Sequence, residues 1–183
     1  MLANTITLFR VFLTFLVIAL FGRHRALDIA LIFTIAIIFT LDAVDGIVAR
    51  RRNETSEIGA LLDIIADRIV ENTFWIYFTA IGLTPLWMPI TVMARGVITD
   101  TYQRTHGYPK NGWTYALTRS RISRGLYGAV KMLAFISLAS ATVFNNAILS
   151  IISYILATLT VGFCLLRGIP FFFIRKTPCP PST

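Results

Sequence analysis

Six long apolar runs separated by short polar breaks set the pattern of this chain, at residues 6–22, 26–48, 59–82, 85–103, 125–145 and 147–173. Each is long enough, or nearly so, to cross a bilayer core that takes about 20 helical residues to span. The pattern predicts six transmembrane helices in one compact domain, residues 1–177, followed by a short proline-rich tail, 178–183, where Pro178, Pro180 and Pro181 cannot continue a helix. The opening MLANTITLF has no basic n-region, and no small-residue cleavage site follows before the next run. The first helix is therefore expected to stay. No internal repeat, heptad array or low-complexity linker interrupts the series.

Composition supports the same class. Hydrophobic residues make up 56% of the 183, charged residues 14%, and the mean hydropathy is +0.71, against about 45–50% apolar and 25% charged for a soluble domain. An all-α integral membrane protein is expected. Its basic residues are uneven: Arg50, Arg51 and Arg52 follow the second run, Arg104, Lys110, Arg119, Arg121 and Arg124 lie between the fourth and fifth, and Arg175 and Lys176 follow the sixth. The turns at 82–89 and 144–148 carry none, although Arg23 and Arg25 in the first turn run against the trend. The positive-inside bias leads to the expectation that both termini lie in the cytoplasm, with the cell inner membrane as the expected location. The net charge of +8 is accounted for by that bias and by attraction to anionic headgroups, not by nucleic acid. Cys164 and Cys179 have no metal-ligand spacing, and His24 and His106 sit in different loops, so neither a disulfide, a zinc site nor a histidine base is expected.

One stretch resists a purely greasy reading. Residues 41–67, LDAVDGIVARRRNETSEIGALLDIIAD, set four aspartates at the facing ends of two apolar runs. An aspartate at the bilayer centre costs roughly 2.5–3.5 kcal/mol on insertion scales, so four together suggest a function that needs the charge. On a helix, Asp42, Asp45, Gly46 and Ala49 share one face, while Asp63 and Asp67 are one turn apart, with Gly59 a turn before them. Like charges gathered in this way need cations or protons to coexist. Carboxylate ligands select hard ions such as Mg²⁺ or Mn²⁺, and four can hold two of them. The small residues leave room for a bulky ligand, and Arg50 offers a planar fork suited to phosphate. Paired divalent ions are a recurring device of phosphoryl chemistry. An ion pathway, or a packing device in which the acids pair with Arg50 or Arg68, fits the same pattern. A divalent-cation transporter, however, would spread acids through the membrane depth, whereas these four gather at one side.

The fixed spacing goes further. Asp42, Asp45, Gly46, Ala49, Arg50, Gly59, Asp63 and Asp67 match D-x2-D-G-x2-A-R-x8-G-x3-D-x3-D at every specified position. This resembles the signature of the CDP-alcohol phosphotransferase family, integral membrane enzymes that make phospholipids. Asn4, Thr7 and Arg10 also resemble the N-x-x-T-x-x-R opening of many members. In size the chain is similar to the phosphatidylglycerophosphate synthase-like and phosphatidylinositol phosphate synthase-like members. The resemblance implies that Asp42, Asp45, Asp63 and Asp67 hold two divalent cations, Mg²⁺ or Mn²⁺, and that Asp67 also takes the acceptor's proton. It implies that Gly46, Ala49, Arg50 and Gly59 shape a CDP pocket at the cytoplasmic side, with Ser56 and Thr7 as further contacts, and that the protein works as a homodimer. The implied reaction is attack of an acceptor hydroxyl on the lipid-linked phosphate of CDP-diacylglycerol, with CMP leaving.

The acceptor has to be read from the cations. Arg121, Arg124, Gly128 and Lys131 follow one another at steps of three, four and three, giving a basic stripe that leads into the fifth run, and Arg95 adds a cation within the fourth. A phosphorylated small alcohol would use such a pocket. Glycerol 3-phosphate is expected ahead of inositol phosphate, with a neutral alcohol such as serine less favoured. Phosphatidylglycerophosphate synthases usually carry a Gly-Lys-x-Lys-Thr-like run hereabouts, where this chain reads SRGLYGAVKM.

Overall fold

The computed structural model describes residues 2–52, 57–106, 112–118 and 120–170, with the side chains of 2–3, 43–52, 57–58, 60, 104–106, 112–114 and 121 left aside. Ser56 and the tail 178–183 lie outside the described residues. Among those described the chain is entirely helical: α1 (Leu2–Leu20), α2 (Arg25–Arg52), α3 (Glu57–Ala80), α4 (Trp87–His106), α5 (Gly112–Thr118), α6 (Arg121–Phe144) and α7 (Ala147–Gly168). Six long helices match the six apolar runs. The short α5 was not expected, because GWTYALT is too brief and too mixed in polarity to give a periodic signal. The helix ends also run past the apolar stretches, as α2 does through Arg50–Arg52, since polar residues continue a helix as readily as apolar ones.

Short turns join α1 to α2, α3 to α4 and α6 to α7, and the helices of each pair pack on each other. In each turn one residue adopts the left-handed conformation that ends a helix, Gly22 (φ +88°), Gly82 (φ +81°) or Asn145 (φ 45°). The Asp28 carboxylate accepts a hydrogen bond from the Gly22 amide at 2.8 Å, tying the first turn to α2. The Asn146 side chain accepts from the amides of Ile148 and Leu149 and starts α7. Phe21 meets Tyr77 edge-on, and Arg25 lies over the Phe144 ring, so the three turns gather at one end of the bundle. The facing ends of α2 and α3, with their aspartates, fall at the other.

α1 packs against both α2 and α3, and α6 against both α2 and α7. An aromatic layer fills the middle: Phe39, Phe74, Phe78 and Phe135 stack with centroids 5.4–6.4 Å apart, and Trp75 meets Phe135 edge-on at 5.1 Å. The outside is unusually apolar. Phe12, Phe15, Phe33, Ile37, Ile76, Ile90, Val97 and Ile151 all point outward, whereas Arg10, Glu71 and Lys131 are buried. Apolar outside and charged inside is the arrangement that lipid favours. Among the described residues, α7 and the stretch Tyr115–Phe144 are long and apolar enough to cross a membrane.

α4 approaches α3 through Gly96. A Cβ placed there would stand 3.2 Å from Arg68 Nη1, and that guanidinium is held by two hydrogen bonds to Asp100, each 2.9 Å. Gly96→Ala is therefore expected to lower the thermal midpoint in detergent, although alanine favours a helix by about 1 kcal/mol over glycine. Gly162→Ala, where nothing stands within 4 Å, is the control and is expected to raise it. An equal rise in both would show that Arg68 moves aside freely.

Candidate active site

Charged groups from five helices meet beside the aromatic layer. Arg10, only 1% exposed, forms an ion pair from α1 with Asp42 of α2. Lys131 of α6, 4% exposed, donates to Asp67 Oδ1 at 3.1 Å and to Glu71 Oε2 at 3.3 Å, both on α3. Tyr127, one turn before Lys131, donates its hydroxyl to the other Glu71 oxygen at 2.6 Å. Arg68 points towards α4 and Asp100, with Nη1 3.8 Å from Glu71. The Lys131 ammonium also lies 5.5 Å from the centre of the Phe39 ring and 5.4 Å from that of Tyr127. Aromatic faces thus partly replace the water it has lost.

Asp42 feels the charge of Asp67, and Asp63 feels those of Asp42 and Asp67, so three of the motif carboxylates lie within electrostatic reach of one another. Asp63 is exposed, while Asp42 and Asp67 are half-buried. The Asp45 side chain is outside the described set, as are those of Ala49 and Arg50; Gly46 and these three lie on the last turns of α2. Gly59 lies in the first turn of α3, and Thr7 is buried on α1 one turn before Arg10. Among the described residues no three carboxylate, histidine or cysteine side chains stand together as a metal cage. The donor chemistry nevertheless suits a hard cation. Among the described side chains, Asp42, Asp63, Asp67, Glu71 and Asp100 are five carboxylates beside three cations, Arg10, Arg68 and Lys131. Unbalanced oxygen ligands of this kind are what Mg²⁺ or Mn²⁺ binds.

A second cluster carries the opposite charge. Arg95 of α4 packs on α7, its side chain 3.3 Å from where a Cβ on Gly168 would stand. Arg167, at the end of α7, is repelled by both Arg95 and Arg124. It lies 5.0 Å over the Tyr127 ring and donates to the Thr118 carbonyl at 3.3 Å. The Nε groups of Arg95 and Arg167 are buried with no hydrogen-bond acceptor among the described residues. Buried donors of this kind normally have a partner. Arg124 is exposed on α6, and the Arg121 side chain is outside the described set. Between Arg124 and Lys131, a Cβ on Gly128 would meet nothing within 4 Å, which leaves open space on that helix face.

Several of these residues escape a reading of the sequence. Arg167 lies in an otherwise apolar run, the one signal that could have flagged it. Glu71 shows only as an acid one turn beyond Asp67, and nothing in the sequence links Tyr127 to it. The alternative that Arg68 pairs with an acid as a packing device is met by Asp100, outside the motif.

Comparison with known proteins points to one family. The sequence profile for CDP-alcohol phosphatidyltransferases matches residues 1–166. A cardiolipin synthase (CMP-forming) of Streptomyces coelicolor is 40% identical over 37% of this chain and 33% of its own length. The CDP-diacylglycerol–glycerol-3-phosphate 3-phosphatidyltransferase of Bacillus subtilis is 28% identical over 78% of this chain and 70% of its own. A probable phosphatidylglycerophosphate synthase of Mycobacterium tuberculosis is 32% identical over 51% of this chain and 47% of its own. The alignments thus span from a third to just over two thirds of these relatives. With the profile running through nearly the whole sequence and the eight-residue signature intact, the chain belongs to the CDP-alcohol phosphatidyltransferase family.

Proposed function

We propose that this protein is a phosphatidyltransferase that moves the phosphatidyl group of CDP-diacylglycerol to the hydroxyl of a small phosphorylated alcohol, glycerol 3-phosphate foremost, and releases CMP. The observation that carries the acceptor is the group of Arg95, Arg124 and Arg167 beside the carboxylates, two of its arginines having buried Nε donors without a partner among the described residues. Three cations with no ion-paired acid among the described residues suit a dianionic phosphate, and guanidinium forks bind it by charge-assisted hydrogen bonds. The Bacillus and Mycobacterium relatives, by their names, belong to the same reaction type.

In this reading Asp42, Asp45, Asp63 and Asp67 hold two divalent cations, which would screen the pyrophosphate and stabilise the departing phosphate. The Asp67 carboxylate takes the proton of the acceptor hydroxyl. The freed oxygen bonds to the lipid-linked phosphorus, the bond from that phosphorus to the CMP oxygen breaks, and CMP leaves. Gly46, Ala49, Arg50 and Gly59 are assigned to the nucleotide, with Ser56 and Thr7 as further contacts, and Arg95, Arg121, Arg124, Lys131 and Arg167 to the acceptor phosphate. The six long helices span the inner membrane with the site at the cytoplasmic side, so the acyl chains stay in lipid while nucleotide and acceptor come from water.

The test is CMP release by purified protein from CDP-diacylglycerol and Mg²⁺ or Mn²⁺, offered glycerol 3-phosphate, inositol phosphate, inositol, serine and phosphatidylglycerol in turn. Glycerol 3-phosphate is expected to be used fastest. Arg167→Ala should raise its KM about tenfold, the loss of one charge-assisted contact, with little change in the KM for CDP-diacylglycerol. Preference for serine, inositol or phosphatidylglycerol would reject the acceptor assignment.

A further inference from the structure

Glu71 belongs to none of the motif positions, yet it is 1% exposed and touches more charged and polar partners than any motif aspartate whose side chain is described. A buried carboxylate in an apolar bundle is costly unless fully satisfied. Here one oxygen accepts from Tyr127 at 2.6 Å, and the other faces Lys131 at 3.3 Å and Arg68 at 3.8 Å. These three partners lead in different directions. Lys131 reaches on to Asp67, Arg68 is fixed to Asp100 on α4, and the Tyr127 ring lies beneath the Arg167 guanidinium.

We propose that Glu71 is a positioning residue that holds Lys131 and Tyr127 in place and thereby aligns the cationic acceptor pocket with the aspartate site. The inference rests on the acceptor reading above and extends it to a residue outside the signature. Lys131 has two carboxylates within reach, and its place between them depends on both. With the Glu71 charge removed, the ammonium is held by Asp67 alone and leaves its place between the two carboxylates. Tyr127 loses its acceptor's charge at the same time, and its ring is no longer fixed under Arg167. A hydrogen bond to a charged group is stronger than one between neutral groups, so the amide of glutamine fills the space without holding the geometry. Both consequences weaken acceptor binding, while the groups bordering the nucleotide on α2 are untouched.

The experiment compares wild type, Glu71→Gln, Tyr127→Phe and the double variant, each checked for monodispersity in detergent. Glu71→Gln is expected to raise the KM for glycerol 3-phosphate about tenfold, with less than about a twofold change in the KM for CDP-diacylglycerol. Tyr127→Phe, which deletes only a hydroxyl and keeps the ring, is expected to raise the acceptor KM about threefold, and the double variant is expected to equal Glu71→Gln, because coupled residues do not add. Glu71→Asp, which restores the charge, should recover part of the loss. Should Glu71→Gln fail to fold, the KM split in Tyr127→Phe decides alone. Unchanged acceptor KM in both single variants, or equal loss for both substrates, overturns the positioning role. Wild type that releases CMP with no phosphorylated alcohol overturns the acceptor reading and this inference with it; the two failures are distinguished because one appears in the wild type and the other only in the variants.

Discussion

Asp67→Asn is expected to cut CMP release by about 10²- to 10⁴-fold, the usual contribution of a positioned base, while much of the CDP-diacylglycerol binding survives. The side chain keeps its shape, so Lys131 can still donate to the remaining oxygen from its 3.1 Å position. Only the capacity to take a proton is lost, together with one negative charge of the ligand set. Asp42→Asn, Asp45→Asn and Asp63→Asn should also nearly abolish turnover, but by weakening metal and nucleotide binding. Binding of CDP-diacylglycerol, measured separately from turnover, tells the two apart. Affinity lost as severely in Asp67→Asn as in Asp42→Asn would leave Asp67 a metal-holding role alone. Full activity without divalent ions, or in all four variants, would remove the metal site from the mechanism.

The largest loss of stability is expected from Lys131→Met. It keeps most of the volume and removes the cation shared by Asp67 and Glu71. Breaking a buried pair typically costs about 3–5 kcal/mol, because the partner left behind is an uncompensated charge. Arg68, 3.8 Å from Glu71, softens the loss. Adding Glu71→Gln to Lys131→Met removes the stranded carboxylate and should recover more than half of the lost stability. Thermal unfolding in detergent measures both. If the double variant melts below Lys131→Met, the pair is not the stabilising unit, and the Tyr127 and Arg68 contacts of Glu71 matter more than its charge.

Much of the bundle was legible in order. The six apolar runs correspond to α1, α2, α3, α4, α6 and α7, because a long apolar run bounded by polar breaks is itself a strong helix signal. The boundaries moved by a few residues, and α5 was missed. The motif aspartates stand out in the sequence, since acids at fixed helical spacing in an apolar chain are costly, and the structure brings Asp42, Asp63 and Asp67 within electrostatic reach of one another. Partners were harder to read. Lys131 looked like part of a stripe with Arg121 and Arg124, and it does share that helix face, but it is bonded to Asp67 and Glu71. Nor does the sequence show that α1 packs against both α2 and α3 and supplies Arg10 to Asp42.

By itself the sequence determined which long segments are helices, which side chains bear charge in an apolar setting, and the family signature, because these depend on composition and on spacing within one element. Only the tertiary structure decided that Arg10 meets Asp42 across 32 residues, that Lys131 meets Asp67 across 64, and that Tyr127 meets Glu71 across 56. It likewise brought Arg167 from the end of α7 to Arg95 and Arg124. Helical periodicity says which residues share a face, but which faces meet depends on how α1 and α6 pack between the others. A buried charge is drawn to whichever opposite charge that packing brings near.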